Sequence, residues 1–286
     1  MVLDRTLLAA LAVPALLLPV WVAAQPAPPA APGAKPEMTE TCPGMIAGEP
    51  ARVVPASLQV AALKGDEVRI SYVGHATFLI ESPQGVKIAT DYNDYVKPRV
   101  IPDIATMNHA HSTHYTDNPD PAIKHILRGW GPTPEEPARH DVTVGDVRVR
   151  NVPTNIRNYV TGAAEKHGNS IFVFEIAGLC IAHLGHLHHT LTQQQLNEIG
   201  RLDAVMVPVD GSVTLDIDGM IEVLASLKAP LMLPMHYFST YTLRHFLDVL
   251  GEKSYEVEMS EVPSVVISKA TLPVKPKLLV LPGRMF

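Results

Sequence analysis

Seven of the chain's thirteen histidines fall in two short bursts, His109-Ala-His111-Ser-Thr113-His114 and His183-Leu-Gly185-His186-Leu-His188-His189, and a single Pro234-Met-His236-Tyr237 follows. Histidine is rarely needed for packing, and its neutral imidazole is the commonest metal ligand. Two bursts and a distant single read as ligands gathered from several loops around one metal site. In an extended segment residues two apart point the same way, so His109 and His111 can hold one ion together. His114 lies three further on, where it can turn toward the same pocket or a neighbouring one. The bland alternative is a set of polar loops that happen to be rich in histidine, which would make three separate groups accidental.

The elements that must present these rings are short strands separated by turn signals. Glu67 to Val73, Ala76 to Glu81 and Val86 to Thr90 read as a meander. Val100 to Met107 is a strand candidate that delivers the chain into the first burst. Asp117 to Leu127 reads as a short helix entered through a proline-rich cap. Hairpin signals stand at Gly145-Asp146 and Ala177-Gly178, and the strand after the second runs into the second burst. Thr192 to Ile199 has helical spacing with Thr192 as N-cap. Ala204 to Val209 is an apolar strand, Asp218 to Leu227 a helix, Pro230 to Pro234 a strand, and Thr240 to Leu250 a helix stopped by Gly251. Val262 to Ser268 and Lys277 to Leu281 complete the set. Every histidine group follows a strand, and loops at one sheet edge are where a rigid scaffold presents chemistry.

With those residues placed, the chain resembles the metallo-β-lactamase superfamily, in which a strand is followed by His-x-His-x-Asp-His. Tyr72-Val-Gly-His75-Ala-Thr-Phe-Leu-Ile80, Ile88-Ala-Thr-Asp91-Tyr, His183-Leu-Gly185-His186-Leu and Pro234-Met-His236-Tyr237 are similar, in order, to segments of its ascorbate-6-phosphate-lactonase-like branch. The resemblance spans roughly Val68 to Tyr237. It implies an α/β fold, a four-layer αββα sandwich with metals at one edge of two sheets, and hydrolysis by a metal-bound water or hydroxide. Carried over by position, His109 and His111 fall on ligands of a first metal, and His114 and His236 on ligands of a second.

Three positions depart from that pattern. Thr113 replaces the motif's Asp, His186 replaces the Asp that bridges both metals, and Val152-Pro-Thr-Asn-Ile-Arg157 has no histidine where the family has one. A bridging carboxylate offsets the repulsion of two close cations, and a neutral imidazole cannot. One tightly held ion is therefore expected, with a second absent or weak, held by some of His109, His111, His114, His186 and His236. Three histidines and an open position on zinc lower the pKa of bound water to about 7. Zinc is the default, and a nitrogen-only set also suits copper, nickel or iron. With both carboxylates gone, His114 or His189 is expected to act as general base.

The remaining residues leave alternatives open. His183 is a ligand or a partner that orients one, and His188 or His189 replaces the missing histidine or continues into a helix start. His75 reads as structural or as a neighbour of the ligands. Asp91 orients a ligand histidine or closes an Asx turn. Val209-Asp210-Gly211-Ser is placed to shape a substrate pocket. Arg128-Gly-Trp130 and Arg157 are cations for an anionic substrate or ordinary surface ion pairs. His125, His140, His167 and His245 have no motif around them and read as surface or structural residues.

Residues 1–24 have the pattern of a secretory signal peptide, Arg5 followed by an apolar run to Val22 and small residues before Gln25. That run, about sixteen residues with Pro14 and Pro19, is short for a membrane span. Residues 25–44 are a proline- and alanine-rich tether, and 45–286 a single domain. Cys42 and Cys180 either pair in an oxidising compartment or remain separate thiols. Net charge is −6 without a Lys/Arg cluster, which gives nucleic acid no electrostatic footing. The expectation is a periplasmic or secreted hydrolase acting on a small-molecule ester, lactone, amide or phosphoester, with no stable membrane insertion after signal cleavage. The rival is a catalytically degenerate metal- or ligand-binding member of the same fold.

Overall fold

Alternation decides the first strand. In Val68–Gly74 (β1) Val68, Ile70 and Tyr72 are buried while the residues between them are half-buried, the period-2 pattern of a strand with one face on a core. The computed structural model describes residues 62–284 except 134, 158–160 and 252–254. The expected signal peptide, the tether and Cys42 lie outside the described residues, all of which belong to one unit spanning Thr39–Phe286.

After β1 come Thr77–Glu81 (β2), Lys87–Ala89 (β3), Ile104–Met107 (β4), His125–Arg128 (β5), Asp141–Val144 (β6), Val147–Arg157 (β7), Ala164–Ile176 (β8) and Leu179–His183 (β9). Gln193–Ile199 (α1), Ala204–Pro208 (β10), Ile217–Leu227 (α2), Leu231–Met235 (β11), Thr240–Leu250 (α3), Glu256–Met259 (β12), Ser264–Ile267 (β13) and Lys277–Val280 (β14) follow. They form a six-stranded sheet, β13-β1-β2-β3-β4-β5, and an eight-stranded sheet, β12-β14-β11-β10-β9-β8-β7-β6. The main core takes Ile70, Phe78 and Ile80 from the first sheet and Val149, Phe172, Phe174 and Met206 from the second, so the sheets face each other.

The parallel strands β9, β10 and β11 are buried along their whole length, as strands covered on both faces must be. Their cover is helical. α1 starts at a capping box in which Thr192 and Gln195 satisfy each other's backbone N–H. α2 buries Met220, Val223, Leu224 and Leu227, and α3 buries Leu243, Phe246 and Leu250. Each such side chain removed from water contributes about 1.5–3 kcal/mol.

The two sheets and the helical cover of the larger one match the expected αββα sandwich. The outer face of the smaller sheet differs: Ala89, Ala105 and Met107 are covered by Tyr92, Ile123, Tyr115 and Trp130, residues of loops. The helix expected over 117–127 is not formed. Pro119 and Pro121 supply no N–H, Asp120 turns the chain by accepting from Ala122 and Ile123, and His125–Arg128 instead pairs in parallel with β4. The strand expected from Val100 starts only at Ile104, and Ile101 is exposed. The edge strand β12, exposed throughout, was not anticipated because its Glu-Val-Glu-Met sequence has no buried face.

β1 runs antiparallel to β2 and β2 to β3, while β3 and β4 are parallel. The ends of β1, β3 and β4 therefore share one edge. The ends of the parallel β9, β10 and β11 likewise share an edge of the second sheet, where open α/β sheets place their sites.

Candidate metal centre

His75, His111, His114 and His236 each offer a ring nitrogen, and these four atoms lie within 4.8 Å of one another. His75, in the turn between β1 and β2, has φ +52°, and His236, just past β11, has φ +56°. A positive φ is uncommon for a residue with a Cβ and marks a backbone held by its surroundings. The two are tied directly: His236 N–H donates to the His75 carbonyl at 2.8 Å, and the Tyr72 hydroxyl donates to the same oxygen at 2.8 Å.

Two of the rings are set by carboxylates. His114 Nδ1 is 2.6 Å from Asp91 Oδ2, and His236 Nδ1 is 2.9 Å from Asp210 Oδ1. Their Nε2 atoms face each other at 3.1 Å, and all four side chains are buried. Two proton arrangements satisfy this line. In one, Asp91 keeps a proton for His114 Nδ1 and His114 Nε2–H donates to His236. In the other, both carboxylates take Nδ1–H and two lone pairs point at each other, which is repulsive unless a cation lies between them. Carboxylate-backed imidazoles with inward Nε2 atoms are the usual support of a metal ligand. The donor set therefore fits a metal ion.

The electrostatics agree with neutral rings at His75, His111 and His114. Burial pushes His114 well below its usual range, and burial followed by neighbouring histidines brings His75 to about 3 and His111 to about 4. Burial pushes the Asp91 carboxyl well above its ordinary range, against the pull of Asn108. Asp210 is held far below, because hydrogen bonds from His236, Thr214 and Ser212 outweigh its burial. Its Oδ2 accepts from the backbone N–H groups of Ser212 at 2.9 Å, Val213 at 2.7 Å and Thr214 at 3.2 Å. Asp210 thus supports His236, a role the sequence reading, which gave it a pocket wall, did not assign. The signal was its place before Ser212 and Thr214, an Asp that can close a turn on following N–H groups.

His186 joins the group from the second burst. Its Nε2 is 3.2 Å from His111 Nε2 and its Nδ1 is 2.7 Å from His188 Nε2. His188 Nδ1 is buried without a hydrogen-bond partner among the described residues. Thr113, standing where a carboxylate was expected, places its hydroxyl 2.8 Å from His75 Nε2 and 2.7 Å from His111 Nδ1. The floor beneath is polar. Asn108 donates to Asp91 at 2.9 Å and accepts from Ser170 N–H at 2.7 Å, and Asn169 accepts from His186 N–H at 2.8 Å.

His109, expected as a ligand, is placed elsewhere. Its Nδ1 is 2.7 Å from Glu165 Oε1, and its ring lies 5.2 Å from that of Trp130 and 5.7 Å from that of Tyr115. The extended spacing that would aim His109 and His111 together is lost because the chain leaves β4 at Met107 and turns. His75, read as structural or as a neighbour of the ligands, belongs to the four. His183 is no ligand: Nε2–H donates to the Ala76 carbonyl at 2.8 Å and Nδ1 accepts from Gly185 N–H at 3.1 Å. His189, expected as a base, is likewise committed, with Nδ1–H on the Thr190 carbonyl at 2.8 Å and Nε2 accepting from Asn155 N–H at 3.1 Å. The expected base role of His114 conflicts with its geometry, since both of its nitrogens are engaged. Arg128 lies over Trp130 with His109, and Arg157 reaches the Ser212 carbonyl at 3.5 Å. His140 bonds the Arg128 carbonyl at 2.7 Å, the structural role expected of it.

Two facing sheets with carboxylate-backed histidines at their edge define a metallo-hydrolase type of domain. The chain belongs to the β-lactamase superfamily, whose domain profile matches residues 69–236. It is 26% identical over 192 residues to a UPF0173 metal-dependent hydrolase of Thermoplasma volcanium, covering 60% of this chain and 84% of that one. A UPF0173 metal-dependent hydrolase of Archaeoglobus fulgidus is 25% identical over 226 residues, 67% of this chain and 94% of the relative. Among solved structures, a protein of Thermotoga maritima assigned as a zinc-dependent hydrolase of the metallo-β-lactamase superfamily superposes with a TM-score of 0.54 at 28% identity. That match covers 76% of this chain and all of the other.

Proposed function

We propose that this metal-dependent hydrolase acts on an ester, lactone, amide or phosphoester of a small molecule through one metal ion held by three rings of the group, His114, His236 and one of His111 and His75, with the fourth position left to water. The observation that carries it is the His114–His236 pair, two carboxylate-backed rings with Nε2 atoms 3.1 Å apart. A divalent ion such as zinc supplies Lewis acidity and lowers the pKa of a bound water to about 7. The chain's own residues do the rest. Asp91 and Asp210 fix the two rings. His111 is exposed, so the centre is reached from its side. Among the described residues no carboxylate bonds the ring of His186 or His188, and neither ring is locked by the backbone as those of His183 and His189 are. Burial, then Arg157, holds His188 down to about 4, so it is neutral at pH 7 and can accept a proton. Both nitrogens of His186 are engaged, as those of His114 are, so His188, whose Nδ1 has no partner among the described residues, replaces the expected bases. The similarity to the ascorbate-6-phosphate-lactonase-like branch supports including lactones. The pattern of residues 1–24 supports export to the periplasm or medium.

One observation favours a second reading. Four imidazoles match the four positions of a closed structural zinc site, which would make the protein a metal binder without turnover. The deciding experiment measures zinc per chain by mass spectrometry together with hydrolysis of lactone, aryl-ester and phosphodiester panels, using His236→Ala as control. About one zinc with turnover, both lost in the control, supports the hydrolase. A full complement of zinc with no turnover on any panel supports the closed centre.

A further inference from the structure

Phe238 stands out among the residues that touch the histidine group, because it is apolar and open to solvent. Its ring centroid lies 5.3 Å from that of His236 at 70° and 6.2 Å from that of His75 at 38°. It is 42% exposed, whereas its neighbour Tyr237 is 8% exposed. Its backbone is not free to hide the ring. On one side the His236 N–H is fixed on the His75 carbonyl, and on the other Ser239 caps α3 by accepting from Thr242 N–H at 3.2 Å. Tyr241, on the first turn of the same helix, is 79% exposed. An exposed aromatic gains little for folding, yet this one lies against two candidate ligands.

We infer that Phe238 is the apolar wall of the substrate site and that the substrate carries an aryl or bulky acyl group next to the bond that is cleaved. This rests on the metal-centred reading above. Ring stacking and exclusion of water favour an aromatic or branched group there over a methyl group. The chemistry selects hydrophobic esters, lactones or amides and disfavours small polar ones.

A structural alternative exists. Phe238 occupies the position before the N-cap of α3, from which a hydrophobic residue can pack on Leu243 and fix the entry of the helix. The test separates the two. Benzohydroxamate and acetohydroxamate, which differ in the apolar arm beside a metal-binding head, are titrated calorimetrically into the zinc-loaded full chain, the Phe238→Ala variant and the Phe238→Leu variant. Benzohydroxamate is expected to bind the unaltered protein about tenfold more tightly than acetohydroxamate, a difference that falls to near parity in Phe238→Ala and returns in part in Phe238→Leu. A ratio unchanged by Phe238→Ala, with thermal stability lowered, overturns the inference and leaves Phe238 a helix staple. If neither hydroxamate binds a zinc-loaded chain, the centre is closed, and both the hydrolase reading and this inference fall.

Discussion

Asp91 and Asp210 support one pair of histidines from two different sheets. Asp91 follows β3 of the six-stranded sheet and holds His114, while Asp210 follows β10 of the eight-stranded sheet and holds His236. The two carboxylates differ in state: burial raises Asp91, and a shell of donors keeps Asp210 ionised. The centre is thus backed by one firm negative charge and one that can carry a proton.

Removing either support should weaken metal binding without abolishing it. Asp91→Asn and Asp210→Asn are expected to lose roughly 10- to 100-fold in zinc affinity, measured by competition with a chromogenic chelator. Wild-type affinity in both variants would mean that the carboxylates do not orient the ligands.

Metal uptake should release a proton. If Asp91 and His114 share two protons in the apo protein, an ion that takes the His114 Nε2 lone pair expels about one of them. Calorimetric titration of zinc in buffers of different ionisation enthalpy reads that number. Release of none would place the ionised Asp91 in the apo protein.

His109→Ala should keep its zinc, because the His109 ring is bound to Glu165 and packed on Trp130 rather than facing the four histidines. His236→Ala should lose it. Elemental analysis of both variants, purified side by side, decides whether position in the motif or the observed geometry assigns the ligands.

Stability should fall with acid through His183. Burial lowers this ring from 6.5 to about 4, against the pull of its bond to the Ala76 carbonyl. Between those values the unfolded chain binds a proton that the folded chain refuses. The contribution is therefore fully present above pH 6.5, is lost as pH falls toward 4, and is constant below. The full loss is about 3 kcal/mol. Urea unfolding of wild type and His183→Gln across that range should show a steeper decline in wild type, and parallel curves would assign the acid sensitivity elsewhere.

Gly185→Ala should disturb the centre from below. A Cβ there would lie 2.3 Å from Asn169 Oδ1 and 2.4 Å from Asn108 Nδ2, and φ is +60°. The cost is roughly 2–4 kcal/mol of stability, read by urea unfolding. Lost zinc is expected too, since Asn108 and Asn169 hold Asp91 and His186.

Local chemistry was legible where a short-range rule governs it. The turns at Gly145 and Gly178, the N-cap at Thr192 and the stop at Gly251 all formed as their residues dictate. The 117–127 segment failed because its apolar residues suit a helix or a strand, and only the neighbouring β4 decides between them. The histidine bursts announced a metal site, but which rings face inward depends on turns after each strand. His109 and His111 have the same spacing to their neighbours as two ligands would, and one turn separates their fates. His75 was hidden because it is a lone histidine in a turn, brought to the others by the pairing of distant strands. Asp210 was hidden for the same reason.

The carbonyl of His75 accepts from the N–H of His236, so the turn between β1 and β2 is joined to the end of β11 by main chain as well as by the centre itself. An ion at that point acts as a clasp closing a loop that encompasses most of the described residues, and the chain freedom removed by such a link grows with the length enclosed. Loading the clasp should slow global unfolding more than it slows the opening of any surface loop. The apo chain would then be the form that proteases and chaperones see, and metal supply would set how long each molecule lasts.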